Sequence, residues 1–214
     1  RLHTFKIFEK VLSTVNDDNF DNIALDLFQL QAKENKVYHK YLTYLGVNME
    51  GITKPEQIPF LPISFFKEQI VMSGQWKEQT TFYSSATTGV TPSRHLVQNV
   101  ESYLQNTKRI FEGFYGAVSD YHFLALLPSY LEREGSSLVA MANYFIRQSK
   151  SPHSSFYLNN KKELIDKLKR VDHLDRKVIL LGVSFALLDL AEEHELDLSN
   201  CIAVSYTHLR AHET

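Results

Sequence analysis

Hydrophobic residues recur at helical spacing in the first part of the chain and as short apolar runs in the rest. Apolar side chains lie three and four residues apart from Phe20 to Gln31, behind Asn19 or Asp21 as a polar cap. This spacing predicts an amphipathic helix. A second helix is predicted to begin near Val37 and to end before Gly46, because glycine is favoured just past a helix C-terminus.

Prolines separate these helices from the rest of the chain. Pro55, Pro59 and Pro62 interrupt regular structure, and a short helix is predicted over Ile63 to Lys67. We therefore expect residues 1–68 to form a helical lead-in and a proline-rich strap.

From Gln69 the pattern becomes an alternation of apolar runs and helical segments. The runs predict strands at Ile70 to Met72, Phe82 to Tyr83, Phe123 to Leu127, Phe156 to Leu158, Val178 to Leu181, and from Cys201. The segments predict helices at Val100 to Phe114, Leu138 to Arg147, Lys161 to Val171, and Ser184 to His194. Such alternation indicates an α/β domain over residues 69–203 with a mostly parallel sheet, whose ligands bind beyond the carboxyl ends of the strands.

Composition and charge limit the functional classes to which this protein can belong. The chain has 214 residues, 43% of them hydrophobic, and a formal net charge of −2. It can bury a core but has no broad positive field, which argues against nucleic-acid binding. A single cysteine, Cys201, favours a reducing, cytoplasmic compartment, and no apolar run approaches the roughly 20 residues of a membrane span. Three histidines, His122, His153 and His173, are scattered along the chain and predict no metal site.

Both ends of the chain predict an incomplete protein. It begins at Arg1 without a methionine, and residues 204–214 resemble a translated sequencing adapter. We therefore expect residues 204–214 to be a non-native tail, and His208 and His212 are set aside as metal ligands.

Residues 83–94, Y-S-S-A-T-T-G-V-T-P-S-R, are rich in hydroxyls and small side chains. Glycine and small residues let successive backbone N–H groups approach an anion, so this segment predicts a phosphate-binding loop between two strands. A solvated turn is the alternative from chemistry alone. The chain contains no Gly-Lys pair and no G-x-G-x-x-G, which excludes a P-loop and a dinucleotide fingerprint.

S-S-A-T-T-G at residues 84–89 resembles the S-S-G-T-T-G phosphate loop of the adenylate-forming superfamily. Three further segments resemble one branch, the LuxE-like acyl-protein synthetases of bacteria: F-L-P-I-S-F-F-K at 60–67, L-L-P-S-Y-L-E-R-E-G-S-S-L at 126–138 and L-G-V-S-F-A-L-L at 181–188. The resemblance extends from about Phe5 to Ile202.

The resemblance implies the N-terminal portion of an adenylate-forming fold, with a helical lead-in and then a mostly parallel sheet flanked by helices. It implies ATP-dependent activation of a fatty or other carboxylic acid and transfer of the acyl group to a protein thiol, with Mg²⁺ held by residues beyond 203. Partners would be the acid and an acyl-accepting protein or coenzyme A.

The resemblance also implies two groups of site residues, whereas no catalytic residue or metal ligand is assigned. The ATP-phosphate loop would comprise Ser84, Ser85, Ala86, Thr87, Thr88 and Gly89, with Arg94 adding positive charge. The acyl or adenine pocket would comprise Ser129, Tyr130, Gly182, Ser184 and Phe185. Two departures are that Ala86 stands where relatives have glycine, and that Pro92-Ser93-Arg94 replaces a Pro-Lys pair.

Three alternative functions remain. One is a phenylacetate-CoA-ligase-like enzyme, and another is a catalytically inert nucleotide-binding fragment, since we expect this portion alone to be inactive. The third is a serine esterase, because G-V-S-F-A at residues 182–186 resembles a nucleophile elbow. Its base would have to be His194, in the same predicted helix as Ser184. Cys201 is interpreted as a core residue rather than as an acyl acceptor.

Overall fold

The structure is a computed structural model that describes residues 11, 14–84, 91–127, 135–170, 175–196 and 198–206. The chain divides into two compact units. The smaller comprises residues 1–81 and 91–98, and the larger comprises residues 82–90 and 99–214.

Two consecutive helices form the core of the smaller unit. α1 spans Phe20–Glu34 and α2 spans Lys36–Tyr44, as their apolar periodicity predicts. Asn35 separates them because its side chain accepts a hydrogen bond from the backbone N–H of Tyr38 and caps α2. The buried side chains from the two helices are Phe28, Ala32, Tyr38 and Leu42.

The proline-rich segment packs against this helix pair as short turns. Two 3₁₀ turns, Met49–Gly51 and Pro55–Gln57, precede α3, which spans Phe65–Glu68. The prediction of a strand over Ile70 to Met72 is wrong: this segment belongs to no strand in the described part of the chain. Ile70 is 64% exposed, and the nearby Ser73 forms an isolated antiparallel bridge with Asn35 instead of a ladder. β-propensity without a partner ladder does not form a sheet.

Two strands flank the predicted phosphate loop. β1 spans Thr80–Tyr83, β2 spans Arg94–Val97, and the two form a small antiparallel sheet. The His95 ring on β2 stacks on Phe66 of α3, with 4.7 Å between the ring centroids.

The larger unit alternates helices and strands. α4 spans Val100–Tyr115 and is capped by Asn99, whose side chain accepts from the N–H of Ser102. A 3₁₀ turn, Val118–Asp120, leads into the strands and helices that follow: β3 Tyr121–Leu126, α5 Ser137–Ser149, β4 Ser155–Phe156, α6 Lys161–Leu168, β5 Lys177–Val183, α7 Ser184–Glu193 and β6 Cys201–Tyr206. β6 therefore includes the first residues of the predicted tail, from Val204 to Tyr206.

The sheet of the larger unit is parallel throughout, with strand order β4-β3-β5-β6. Every residue of β3 is buried, as is every residue of β5 after Lys177. Because helices cover both faces of the sheet, the side chains on both faces are buried. Such strands therefore appear in the sequence as continuous apolar runs instead of alternating ones. The predicted α/β fold class is confirmed.

Packing is dense on both sides of the sheet. One cluster combines β3 and β5 with residues of α5, α6 and α7, and a second is aromatic. In the second cluster the ring of Phe111 from α4 lies 5.2 to 5.6 Å from the rings of Tyr121, Phe123 and Phe145. Among the helices described, none is both long and apolar enough to cross a membrane.

Candidate functional site

The strand order places a topological switch point at the carboxyl edge of the sheet, between β3 and β5. From β3 the chain passes to β4 on one side and then returns to β5 on the other. Connections that leave in opposite directions open a gap at the carboxyl ends of the two central strands, where ligands of open α/β sheets bind. Leu126 at the end of β3 lies opposite Gly182 near the end of β5. The predicted pocket residues Ser129 and Tyr130 follow β3 in sequence but lie outside the described residues.

The strand that enters the predicted phosphate loop is attached close to the same edge. The backbone N–H of Tyr83 donates a 2.8 Å hydrogen bond to the carbonyl oxygen of Gly135, in the turn before α5. Phe82 is buried, and its ring lies 5.1 Å from that of Tyr103. Burial raises the pKa of Tyr103, and a hydrogen bond with Ser137 partly offsets this. β1 is therefore fixed to the start of α5.

The amino terminus of α5 is capped by a serine and preceded by a glycine. Ser136 caps the helix by accepting from the N–H of Val139, and Gly135 has a φ of +77°, which favours glycine. A 13-residue helix presents positive dipole charge at this end, which is favourable for a phosphate. Ser84, the first residue of the predicted loop, is exposed, and residues 85–89 lie outside the described ranges.

Ser184 is the first residue of α7 and lies at the carboxyl end of β5. Its Oγ is 2.7 Å from Oγ of Ser205 on β6 and 3.4 Å from the carbonyl oxygen of Tyr206. Phe185 follows with 38% of its surface exposed. Sequence reasoning missed Ser205 because it lies in the segment resembling an adapter; the strand register, which pairs Gly182 with Ser205, brings the two hydroxyls together.

Gly182 has a packing role that the sequence does not reveal. A Cβ atom at this position would lie 2.8 Å from Cγ of Leu187 and 3.4 Å from Cβ of Leu126. The space beside Gly182 is therefore filled by protein side chains. This glycine lets α7 approach the sheet closely, and the structure gives it no ligand-facing opening of its own.

Arg94, the predicted cation of the loop, is the first residue of β2 and is half-buried. It belongs to the smaller unit, whereas Ser84 belongs to the larger one. The role of Arg94 toward a phosphate remains a prediction.

An apolar groove of about 690 Å³ lies between α7 and the sheet. Leu180 and Ala203 form its floor, Leu187, Leu190 and Ala191 form the helical wall, and Leu196 with Leu198 closes the far side; His194 and Glu195 are the polar residues of its lining. The volume lies in the range of small-molecule sites. The groove was not predicted from the sequence, although the spacing of the leucines in α7 and the leucines that follow it indicate an apolar surface.

The geometry for the esterase alternative is unfavourable. Ser184 begins α7 and His194 immediately follows its last residue, so a ten-residue helix, about 15 Å long, separates them. His194 instead lies 3.9 Å from Glu193. Cys201, at the start of β6, is half-buried, and burial raises the pKa of its thiol, which disfavours the reactive thiolate.

No cluster of three or more potential metal-ligating side chains occurs within residues 14–84, 91–127, 135–170, 175–196 and 198–206. Comparisons of the chain with family models, with curated proteins and with solved structures find no match.

Proposed function

We propose that this chain is the nucleotide- and acid-binding part of an ATP-dependent ligase that activates a fatty or other carboxylic acid as its adenylate. The observation that carries the proposal is the strand order, which places a topological switch point between β3 and β5 at the carboxyl edge of a parallel sheet. The entry to the loop at residues 84–89 is attached close to this edge through the bond from Tyr83 to Gly135. The hydroxyl-rich segment therefore begins close to the edge at which ligands of parallel sheets bind, which supports the proposal.

The residues present fit the phosphate part of ATP better than its magnesium ion. The hydroxyl of Ser184 at the carboxyl end of β5 and the amino terminus of α5 supply a donor and positive dipole charge near this edge. Bound ATP would supply the phosphoanhydride whose cleavage drives acid activation. In this proposal the loop backbone would hold the phosphates, whereas the ligands for Mg²⁺ would come from outside residues 1–203.

The apolar groove supports an aliphatic acid as substrate. An acyl chain gains free energy by leaving water for a leucine-lined surface, at about 25 cal/mol for each Å² buried. The acyl acceptor is proposed to be a protein thiol, with coenzyme A as the alternative. Cys201 does not suit this role because burial disfavours its thiolate.

Binding of a fluorescent ATP analogue tests the proposal without requiring turnover. The 214-residue chain should bind the analogue, and Thr88→Val should weaken binding at least about tenfold if the loop hydroxyl contacts a phosphate. Thr43→Val is the matched control, because the Thr43 hydroxyl on α2 bonds to the carbonyl oxygen of His39 within its own helix. Equal affinities for the wild type and Thr88→Val, or no binding at all, would contradict the phosphate-loop assignment.

ATP–pyrophosphate exchange across a panel of fatty acids separates the ligase from an inert binding fragment. We expect residues 1–214 to show no exchange, and a longer chain carrying the magnesium ligands to show it. Absence of exchange with every acid in the longer chain would remove the ligase proposal. Robust exchange by residues 1–214 would show that this portion is sufficient.

A further inference from the structure

A buried histidine at the amino-terminal end of β3 connects a serine to a carboxylate. His122 is 1% exposed, and its Nδ1 lies 2.6 Å from Oγ of Ser151, in the turn after α5. Its Nε2 lies 3.1 Å from Oδ1 of Asp175, which precedes β5. The three residues are 29 and 53 positions apart in sequence, and only the parallel alignment of β3 with β5 brings them together.

The hydrogen bonds determine which atoms hold the protons. A carboxylate only accepts, so Nε2 of His122 carries the hydrogen that Asp175 accepts, and Nδ1 keeps its lone pair for the Ser151 hydroxyl. Burial, and to a lesser extent the neighbouring His153, lower the pKa of His122, which keeps the ring neutral near pH 7. The Ser151 oxygen also accepts from the N–H of His153 at 3.0 Å, which leaves its hydroxyl hydrogen directed to His122.

The cationic side chains of Lys167 and Arg176 lie on the two sides of this array of Ser151, His122 and Asp175. The His153 ring meets that of His122 edge-on at 5.0 Å, and Nζ of Lys167 lies 3.4 Å from Nδ1 of His153. On the other side, Nε of Arg176 lies 3.7 Å from Oδ2 of Asp175 and its Nη1 donates to the carbonyl oxygen of Ser149. The array lies at the amino-terminal end of β3, opposite the carboxyl edge of the sheet.

We propose that Ser151 is a nucleophile activated by His122, with Asp175 as the positioning residue, and that it takes acyl groups from small activated esters. In the step, the Ser151 oxygen bonds to the ester carbonyl carbon as its proton passes to Nδ1 of His122. The bond to the leaving alkoxide then breaks and His122 returns the proton to it. Water releases the acyl group from Ser151 by the same path. The serine proteases use the opposite ring nitrogens for the same proton transfers.

Labelling by a fluorophosphonate tests the assignment, because the reagent transfers a phosphonyl group to an activated serine and releases fluoride. Intact mass and peptide mapping on the 214-residue chain should find one adduct, at Ser151. Ser151→Ala should abolish it and His122→Gln should slow it at least about a hundredfold. Ser119→Ala is the control, since this serine is exposed and its hydroxyl bonds to the neighbouring Asp120.

A pH profile separates an activated serine from a merely structural one. The labelling rate of the wild type should fall as pH decreases and be half lost at a pH below about 6.5, where His122 becomes protonated. Asp175→Asn should fold normally, because this side chain is 75% exposed, and should label at least about tenfold more slowly. No adduct at Ser151 in folded protein, an adduct at Ser184 instead, or an unchanged rate and pH profile in His122→Gln would each overturn the proposal.

Discussion

Leu187 covers Gly182 so closely that a Cβ atom on the glycine would lie only 2.8 Å from Cγ of the leucine. Cβ atoms do not approach other carbons this closely. The helix and the strand are therefore packed so closely that only glycine fits at this position without a shift. The amino end of α7 reaches the carboxyl edge of the sheet through this contact. The position of Ser184 therefore depends on it.

Replacing Gly182 by alanine should destabilise the larger unit by about 1–3 kcal/mol, the usual cost of an overpacked core. Urea denaturation of the wild type and Gly182→Ala measures the loss. The double variant Gly182→Ala with Leu187→Ala should be less destabilised than the sum of the two single variants, since removing the leucine makes room for the new methyl. Additive effects would contradict the close contact.

Gly113 is the matched control, because a Cβ atom there meets nothing within 4 Å and the residue lies inside α4. Gly113→Ala should stabilise the chain by about 0.5–1 kcal/mol through helix propensity. Opposite signs for the same substitution at the two glycines are expected.

The stability of the larger unit should decrease in mild acid because of His122. The unfolded state binds a proton at pH about 6.5, whereas burial and the nearby His153 and Arg176 lower the pKa of His122 in the folded state, more than Asp175 raises it. The stabilising contribution is complete above that pH and is lost as pH falls below it. Denaturation midpoints at pH 7.5 and 5.5 should differ less in His122→Gln than in the wild type. An equal difference in both proteins would contradict this origin.

Asn35 should stabilise the helix pair more than an ordinary cap does. Asn35 is 6% exposed, and its side chain caps α2 and lies 3.4 Å from the Ser73 hydroxyl. Asn35→Ala leaves the N–H of Tyr38 without its acceptor and should cost about 2 kcal/mol, the upper end for cap residues. The exposed cap Asn99 is the comparison, and Asn99→Ala should cost about 1 kcal/mol. A smaller loss for Asn35→Ala than for Asn99→Ala in thermal unfolding would contradict the argument.

The apolar groove should bind a fluorescent fatty acid if it accepts the acyl chain. Ala191→Trp places a large ring on the exposed helical wall of the groove and should weaken binding at least about tenfold by filling its volume. Glu192→Gln, on the next residue of α7 and outside the lining, is the control. Binding that is unaffected by Ala191→Trp would mean that the acyl chain binds elsewhere, while leaving the phosphate loop untested.

The sequence by itself determined most elements of the fold. Caps at Asn99 and Ser136 and the apolar runs of β3 and β5 are local signals, so helices and strands could be predicted with ends wrong by a few residues. Ile70 to Met72 was the exception, since strand formation needs a partner that local sequence does not specify.

Only the tertiary structure decided which residues meet. Parallel strands are joined by long crossovers, so neither their order nor their register can be read from local patterns. The order β4-β3-β5-β6 sets the position of the switch point between β3 and β5, and the register brings Ser184 to Ser205 and His122 to Asp175. Gly182 likewise resembled a site residue in sequence, whereas its contact with Leu187 shows that the missing side chain makes room for packing.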